Sequence, residues 1–121
     1  MYKTTARRNP QMTCLEDTYQ FIEESRDWGR YNIIHAIVQR NSDGLRHPHA
    51  VVYDKETKEI LEVSNSYKDD NVKMPFMLWI MLGKVSDVKQ YTLNEFRKLL
   101  VKHRRYTFFH FKERFDDREL N

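Results

Sequence analysis

The spacing of apolar residues predicts a helix near the start of the chain. Leu15, Tyr19 and Ile22 recur at intervals of three and four residues, which gives a helix one face to bury. The segment Thr13-Cys14-Leu15-Glu16 has the form of a capping box, in which the Thr hydroxyl and the Glu carboxylate bond the free amides at a helix start. We therefore expect a helix from Cys14 to about Arg26.

The middle of the chain alternates β-branched and apolar runs with turn residues, which is the pattern of a small antiparallel sheet. Tyr31 to Gln39 is apolar through most of its length and predicts a buried strand. His49 to Asp54 and Glu59 to Asn65 predict a hairpin across a four-residue turn. Val88 to Tyr91 predicts a fourth strand.

Helical and aromatic segments fill the rest of the chain. Met74 to Leu82 is apolar on all sides, as a buried helix requires, so we expect it in the core rather than at a protein-binding groove. Thr92-Leu93-Asn94-Glu95 is a second capping box and predicts a helix to about His103. The aromatic run from Tyr106 to Phe109 predicts a last strand.

The composition fits one soluble domain and excludes several function classes. The chain has 121 residues and a formal net charge of +3, and we expect one α+β domain over residues 13–115, between a flexible basic arm (residues 1–12) and a tail (residues 116–121). Only 3 glycines are present, so a Gly-rich phosphate loop is excluded and no cofactor is expected. The longest apolar stretch is about half of a membrane span and no secretory signal is recognisable, so we expect a cytoplasmic protein without a membrane partner.

The single cysteine, Cys14, directs attention to nucleophilic chemistry. A lone cysteine cannot form an internal disulfide or a multi-cysteine zinc site. Directly after the presumed N-cap, its sulfur would lie at the positive end of the helix dipole, where a thiolate is stabilised. That position favours a nucleophile, although a single cysteine in a small domain is also often an inert buried thiol.

The predicted hairpin places a histidine beside a carboxylate. With a four-residue turn, Asp54 pairs with Glu59. Val51 then lies opposite Glu62, which shares a sheet face with His49 one diagonal step away. A carboxylate in that position can orient the imidazole. A helix cysteine, a strand histidine and an acid on the next strand support thiol acyl transfer, in which the thiolate attacks a carbonyl and the histidine transfers the proton to the leaving group.

Five short motifs resemble, in order and spacing, those of small transglutaminase-like and papain-like cysteine peptidases common in phages and bacteria. They are Cys14 to Ile22, Ile33 to Val38, His49 to Val52, Ile60 to Asn65 and Lys89 to Phe96. The resemblance implies a minimal papain-like or transglutaminase-like core in which an N-terminal helix bearing the cysteine packs on a small antiparallel sheet, with further helices covering it.

The resemblance also implies roles for individual residues. Cys14 would be the nucleophile, His49 the general base and acid, and Glu62 the residue in the place of the family's orienting Asp. Asn65 is the alternative third member, as in papain-type enzymes where an Asn holds the His. The chain departs from the family pattern where Glu replaces Asp, and where Ala36 replaces the Gly after His35.

Three further expectations concern the surroundings of these residues. The backbone amide of Cys14 is the natural oxyanion donor at a helix start, and Gln11 or Asn9 is expected to supply a second donor. His35, on a mostly apolar strand, is expected to lie in the core or to support the catalytic residues from behind rather than to bind metal. No metal site is expected, because the candidate ligands lack the paired spacing of zinc sites.

The predicted function is hydrolysis of a peptide or isopeptide bond by a cysteine peptidase or amidase, with a protein or peptide as substrate. Two alternatives stay open. One is a catalytically inactive shell that binds and inhibits a host protein. The other is a nucleic-acid-binding module that uses Arg104, Arg105 and the aromatic residues after them, which a net charge of only +3 does not favour.

Overall fold

The computed structural model describes residues 10–39, 44–63 and 72–111, so the first nine residues of the basic arm, Asn65 and the tail lie outside the described residues. The described part is a mixed α+β fold with a five-stranded sheet and three helices. In chain order the elements are α1 (Pro10–Ser25), β1 (Tyr31–Gln39), β2 (Arg46–Asp54), β3 (Glu59–Glu62), β4 (Val72–Pro75), α2 (Phe76–Leu82), β5 (Ser86–Tyr91) and α3 (Leu93–His103), followed by a short 3-10 turn, Phe109–Phe111.

The sheet is antiparallel throughout, with the spatial order β4-β3-β2-β1-β5. β2 and β3 form the predicted hairpin, in which Asp54 pairs with Glu59. Because β3 is short, its pairing with β2 begins only at Val52. The first half of β2 therefore extends past the end of β3, and α1 packs against β2.

β1 is buried on both faces because the sheet is covered by helices on both sides. Its alternate residues point to opposite faces, as the two-residue period of a strand requires. Ile33 belongs to a cluster with Ile22 of α1 and Phe96 of α3. Ile34 belongs to a second cluster, which contains Trp79 of α2. The sheet thus lies between α1 with α3 on one face and α2 on the other.

α1 begins earlier than its sequence pattern predicts. The helix starts at Pro10, so the capping box predicted at Thr13 is wrong as a helix start. Proline is favoured in the first turn because its φ already suits a helix and its missing N–H is not needed there. The start falls inside the predicted basic arm, and Cys14 becomes the fifth residue of the helix.

α3 confirms the second capping box. The Thr92 hydroxyl accepts a hydrogen bond from the Glu95 amide at 3.1 Å, and the Glu95 carboxylate accepts one from the Thr92 amide at 2.9 Å. The helix ends at His103, and the C-cap residue Arg104 has a positive φ of 60°, in the left-handed region. Both ends of α3 are therefore set by local chemistry.

Three other expectations are wrong. Met74 and Pro75 belong to β4 rather than to a helix, and β4 is an edge strand, where proline is tolerated. α2 is not buried on all sides, since Trp79 is its one buried residue. The aromatic run after α3 forms a 3-10 turn instead of a strand.

Among the described residues, every helix is too short or too polar to span a bilayer.

Candidate active site

Cys14 lies in the second turn of α1, on the side that faces the sheet. Its side chain is only 2% exposed. It belongs to an apolar cluster whose other members come from α1 itself, from the sheet and from the end of the described chain, namely Leu15, Ile37, Ala50, Phe108 and Phe111. The thiol is therefore free of any disulfide but covered by neighbouring side chains.

His49 and Glu62 are joined across the hairpin. The His49 Nε2–H donates to Glu62 Oε1 at 2.8 Å. The side chains are 18% and 21% exposed, so the bond is only partly shielded from water. The register that the sequence predicts for β2 and β3 accounts for this contact, because it places the two residues a diagonal step apart on one face.

Cys14 is the second partner of His49. The Cys14 thiol is hydrogen-bonded to the imidazole. Burial opposes the charged imidazolium, but the hydrogen bonds to Cys14 and Glu62, together with the negative charge of Glu62, outweigh burial and raise the pKa of His49 to about 10.

This arrangement can hold a proton between a nucleophile and an acid. A protonated His49 stabilises a thiolate at Cys14 and can later donate its proton to a leaving group. Glu62 fixes the ring orientation and favours the imidazolium. The helix dipole contributes less than the sequence implies, because its effect falls off within the first turn and Cys14 lies in the second.

The predicted oxyanion donors change with the start of α1. In a helix that begins at Pro10, the Cys14 amide bonds the Pro10 carbonyl and is not a free donor, so that expectation is wrong. Gln11 lies in the first turn, where backbone amides lack helical partners. Its side chain and Asn9 lie outside the described part of the structure.

His35 is fully buried in an aromatic environment rather than beside the catalytic candidates. Its ring makes edge contacts with Tyr91, Phe96 and Phe108, at centroid distances of 5.1, 5.5 and 5.0 Å. It lies on β1 opposite Ala50, the neighbour of His49. His35 is thus a core residue of the face that carries α1 and α3.

Neither metal binding nor base stacking gains support from the described residues. Across them, no group of three or more His, Cys, Asp or Glu side chains is placed to hold a metal ion. Arg104 and Arg105 are exposed, but Phe108 and Phe111 are fully buried. The aromatic platform expected beside the two arginines is therefore largely part of the core.

A cleft beside Glu62 escaped the sequence prediction. It has a volume of about 270 Å³. Its lining comes from β1, β3, β4, α2 and the residue after α2: Val38, Gln39, Glu62, Met74, Trp79, Leu82 and Gly83. The only sequence signal was the apolar run from Met74 to Leu82, which we interpreted as a buried helix.

Comparisons of the chain with models of protein families, with curated proteins and with solved structures find no match.

Proposed function

We propose that this chain is a thiol-dependent acyl-transfer enzyme, a cysteine peptidase or amidase that hydrolyses a peptide or isopeptide bond. The observation that carries the proposal is the hydrogen-bonded series Cys14–His49–Glu62. Its three members come from α1, β2 and β3. Along the hydrogen bonds they are a nucleophile, a proton carrier and an orienting group, which are the three groups that thiol acyl transfer uses.

The proposed reaction has two steps. In the first, the Cys14 thiolate attacks the carbonyl carbon, and His49 gives its proton to the amine as the C–N bond breaks, which leaves a thioester. In the second, His49 takes a proton from water, the resulting hydroxide attacks the thioester, and the carboxylic acid leaves as the thiolate is restored. Glu62 keeps the imidazole aligned during both proton transfers.

The order of the motifs supports the same proposal. The resemblance to transglutaminase-like and papain-like peptidases predicts that Cys14 and His49 come together, and their side chains are hydrogen-bonded. Glu62 takes the place of the family's Asp at the third position. Asn65, the alternative third member, lies outside the described residues.

The test is hydrolysis of a library of fluorogenic peptide amides by four proteins. We expect Cys14→Ala to lose activity completely. We expect Glu62→Gln to lose about 10- to 100-fold in kcat/KM, because a neutral amide stabilises the imidazolium less well. Glu59→Gln changes another carboxylate of β3 and should keep full activity. Full activity in Cys14→Ala would contradict the proposal.

The burial of Cys14 favours a second candidate, an inactive shell that binds another protein. A thiol that is 2% exposed must be uncovered before it can attack a substrate. Alkylation by iodoacetamide at pH 6.5 separates the two functions. An activated thiolate reacts faster than a free thiol and slows in His49→Ala. A thiol that stays inert until the protein unfolds supports the inactive shell.

A further inference from the structure

β5 is an edge strand whose outer side is open. Among the described residues it pairs with β1 alone, so alternate N–H and C=O groups on its other side point away from the sheet. Residues 87–90 of the strand are all exposed. An edge of this kind can pair with an extended peptide, which adds a strand to the sheet.

A groove lies between this edge and α3. Its volume is about 490 Å³, within the range of roughly 300–1,000 Å³ that is typical of binding pockets. Three consecutive residues of β5 line it, namely Lys89, Gln90 and Tyr91. Alternate residues of a strand point to opposite faces, and the Gln90 side chain accepts a hydrogen bond from Asn32 on the other face. The groove therefore extends to the backbone edge of β5.

Part of the groove is apolar. Leu99 of α3 and Phe109 of the 3-10 turn line it, and both are half-buried because they pack against the cluster around Phe96. Tyr91, which is almost fully buried, contributes to the same lining. An apolar side chain of a bound strand can therefore pack on a surface that is already formed.

The charge of the groove is positive. Two lysines line it, Lys89 and Lys98, together with one carboxylate, Glu95. The Glu95 carboxylate already accepts a hydrogen bond from the Thr92 amide. Within the described part of the structure neither lysine belongs to an ion pair. The Lys89 ammonium lies 5.7 Å from the centre of the Tyr91 ring, so positive charge is available beside the apolar lining.

A β-bulge limits the length of the open edge. The pairing of β5 with β1 changes register between His35 and Ile37, and Asp87 has a positive φ of 56°. A bulge interrupts the ladder and bends the strand. The regular edge is thus confined to residues 88–91, which suits a bound segment of about four residues.

We propose that the groove between β5 and α3 binds an extended segment of another polypeptide, which pairs with the open edge of β5. The segment has an acidic and an apolar side chain two residues apart, since such residues share one face of a strand. The acidic group pairs with Lys89 and Lys98, and the apolar group packs on Leu99 and Phe109. The candidate active site takes no part, because β1 separates β5 from β2 and β3.

The test is an NMR titration of isotope-labelled protein with a blocked heptapeptide, Glu-Val-Phe flanked by threonines. We expect the amide signals of residues 88–91 to shift. We also expect binding about 10-fold tighter than that of a peptide with Lys in place of Glu, because charge complementarity selects the acidic peptide. Unchanged amide signals there, or equal affinity for the two peptides, would overturn the proposal. The same shifts on concentrating the protein alone would assign the groove to a second copy of the chain and contradict it.

Methylation of single peptide amides distinguishes strand pairing from simple attraction between charges. Only alternate residues of a strand bond a given neighbour. We therefore expect methylation at two successive positions to weaken binding about 10-fold at one of them and to leave it unchanged at the other. Equal effects at both positions contradict strand pairing.

Three variants locate the bound peptide. Lys98→Glu reverses a charge in the groove and should remove the preference for the acidic peptide. Lys73→Glu makes the same change on β4, at the opposite edge of the sheet, and should keep that preference. Both lysines are exposed, so neither change disturbs the core. Cys14→Ala should bind the acidic peptide as the wild-type protein does. Equal behaviour of the two lysine variants, or loss of binding in Cys14→Ala, contradicts the assignment of the groove.

Discussion

Two carboxylates of the same hairpin, Asp54 and Glu62, each pair with a basic side chain, and the two pairs differ in almost every property. Near the turn, the Arg30 guanidinium donates to both carboxylate oxygens of Asp54, from Nε at 3.0 Å and from Nη2 at 2.8 Å. Away from the turn, His49 donates to Glu62 at 2.8 Å. No thiol lies next to the first pair in the described structure, whereas the second pair contacts the Cys14 thiol.

The Arg30–Asp54 pair is a structural lock. The hydrogen bond from Arg30 lowers the pKa of Asp54 to about 2, against the opposing effect of burial, and the amides of Thr57 and Glu56 contribute in the same direction. The hydrogen bond to Asp54 in turn raises the pKa of the Arg30 guanidinium above its ordinary value. Neither partner can exchange a proton near neutral pH, and the pair only holds the turn in place.

The His49–Glu62 pair carries a proton that it can release. An imidazolium is a much stronger acid than a guanidinium, even with a pKa raised to about 10. In both places a hairpin carboxylate holds a cationic side chain by hydrogen bonds. The acidity of that cation decides whether the pair can transfer a proton.

The largest expected effect on stability comes from removing the lock. Asp54→Ala leaves the Arg30 guanidinium without its carboxylate and the amides of Glu56 and Thr57 without their acceptor. We expect the free energy of unfolding to fall by about 2–3 kcal/mol. Urea denaturation at pH 7 measures it, and a loss below about 0.5 kcal/mol would show that the pair does not hold the turn.

The two pairs should stabilise the protein over different pH ranges. The stabilisation from His49 is complete below its unfolded pKa of about 6.5 and is lost as the pH rises through about 10, so alkaline pH destabilises the wild-type protein. We expect the wild-type protein to lose on the order of 2 kcal/mol more than His49→Gln between pH 7 and pH 10.5.

The acid side serves as the control for that experiment. The stabilisation from Asp54 is complete above its ordinary pKa of 3.8 and is lost as the pH falls through its folded pKa of about 2. Because His49→Gln leaves Asp54 intact, both proteins should lose stability alike below pH 4. Parallel curves at alkaline pH would contradict the role of His49.

A milder change tests the geometry of the lock. Arg30→Lys keeps the positive charge but removes the planar fork that bonds both oxygens of Asp54. We expect a lower urea midpoint than in the wild-type protein, with a loss smaller than in Asp54→Ala. A midpoint equal to that of the wild-type protein would mean that charge alone suffices at this position.

The smallest expected effect concerns the outer partner of Arg30. The Glu56 carboxylate lies 3.5 Å from the guanidinium, and its side chain is 70% exposed. Exposed ion pairs are worth little, so Glu56→Ala should change the free energy of unfolding by less than about 0.5 kcal/mol. A loss as large as that of Asp54→Ala would mean that Glu56 contributes as much as Asp54 to holding the turn, which would contradict the role given to Asp54.

Features governed by neighbours in the sequence are predicted well. β1 has the predicted bounds, Tyr31–Gln39, because a long β-branched run between turn residues has few alternatives. The capping box of Thr92 and Glu95 is confirmed because its two bonds join residues three apart. The pairing of Asp54 with Glu59 follows from the length of the turn.

Features governed by tertiary packing are predicted poorly. Nothing in the apolar sequence of α2 reveals that one of its faces stays exposed, because that depends on how much of the sheet it covers. Phe108 and Phe111 form a turn instead of a strand because they close the cluster around Cys14. The start of α1 depends on Pro10, which lies inside the stretch that was predicted as a flexible arm.

The candidate site contains one contact that depends on sequence neighbours and one that depends on tertiary packing. The contact between His49 and Glu62 follows from the hairpin register, so the sequence predicts it. The contact between Cys14 and His49 requires α1 to pack on β2, and no hairpin register or turn length in the sequence determines that packing. The catalytic roles of the three residues stay predictions until activity is measured.

The covering of Cys14 by Phe108 and Phe111 affects the protein while it is being made. Those two phenylalanines leave the ribosome more than 90 residues after the cysteine that they cover. At synthesis rates of about 5–20 residues per second, the thiol is accessible for roughly 5–20 s on each nascent chain. Oxidants and electrophiles in the cell therefore meet an open thiol during translation and a covered one afterwards.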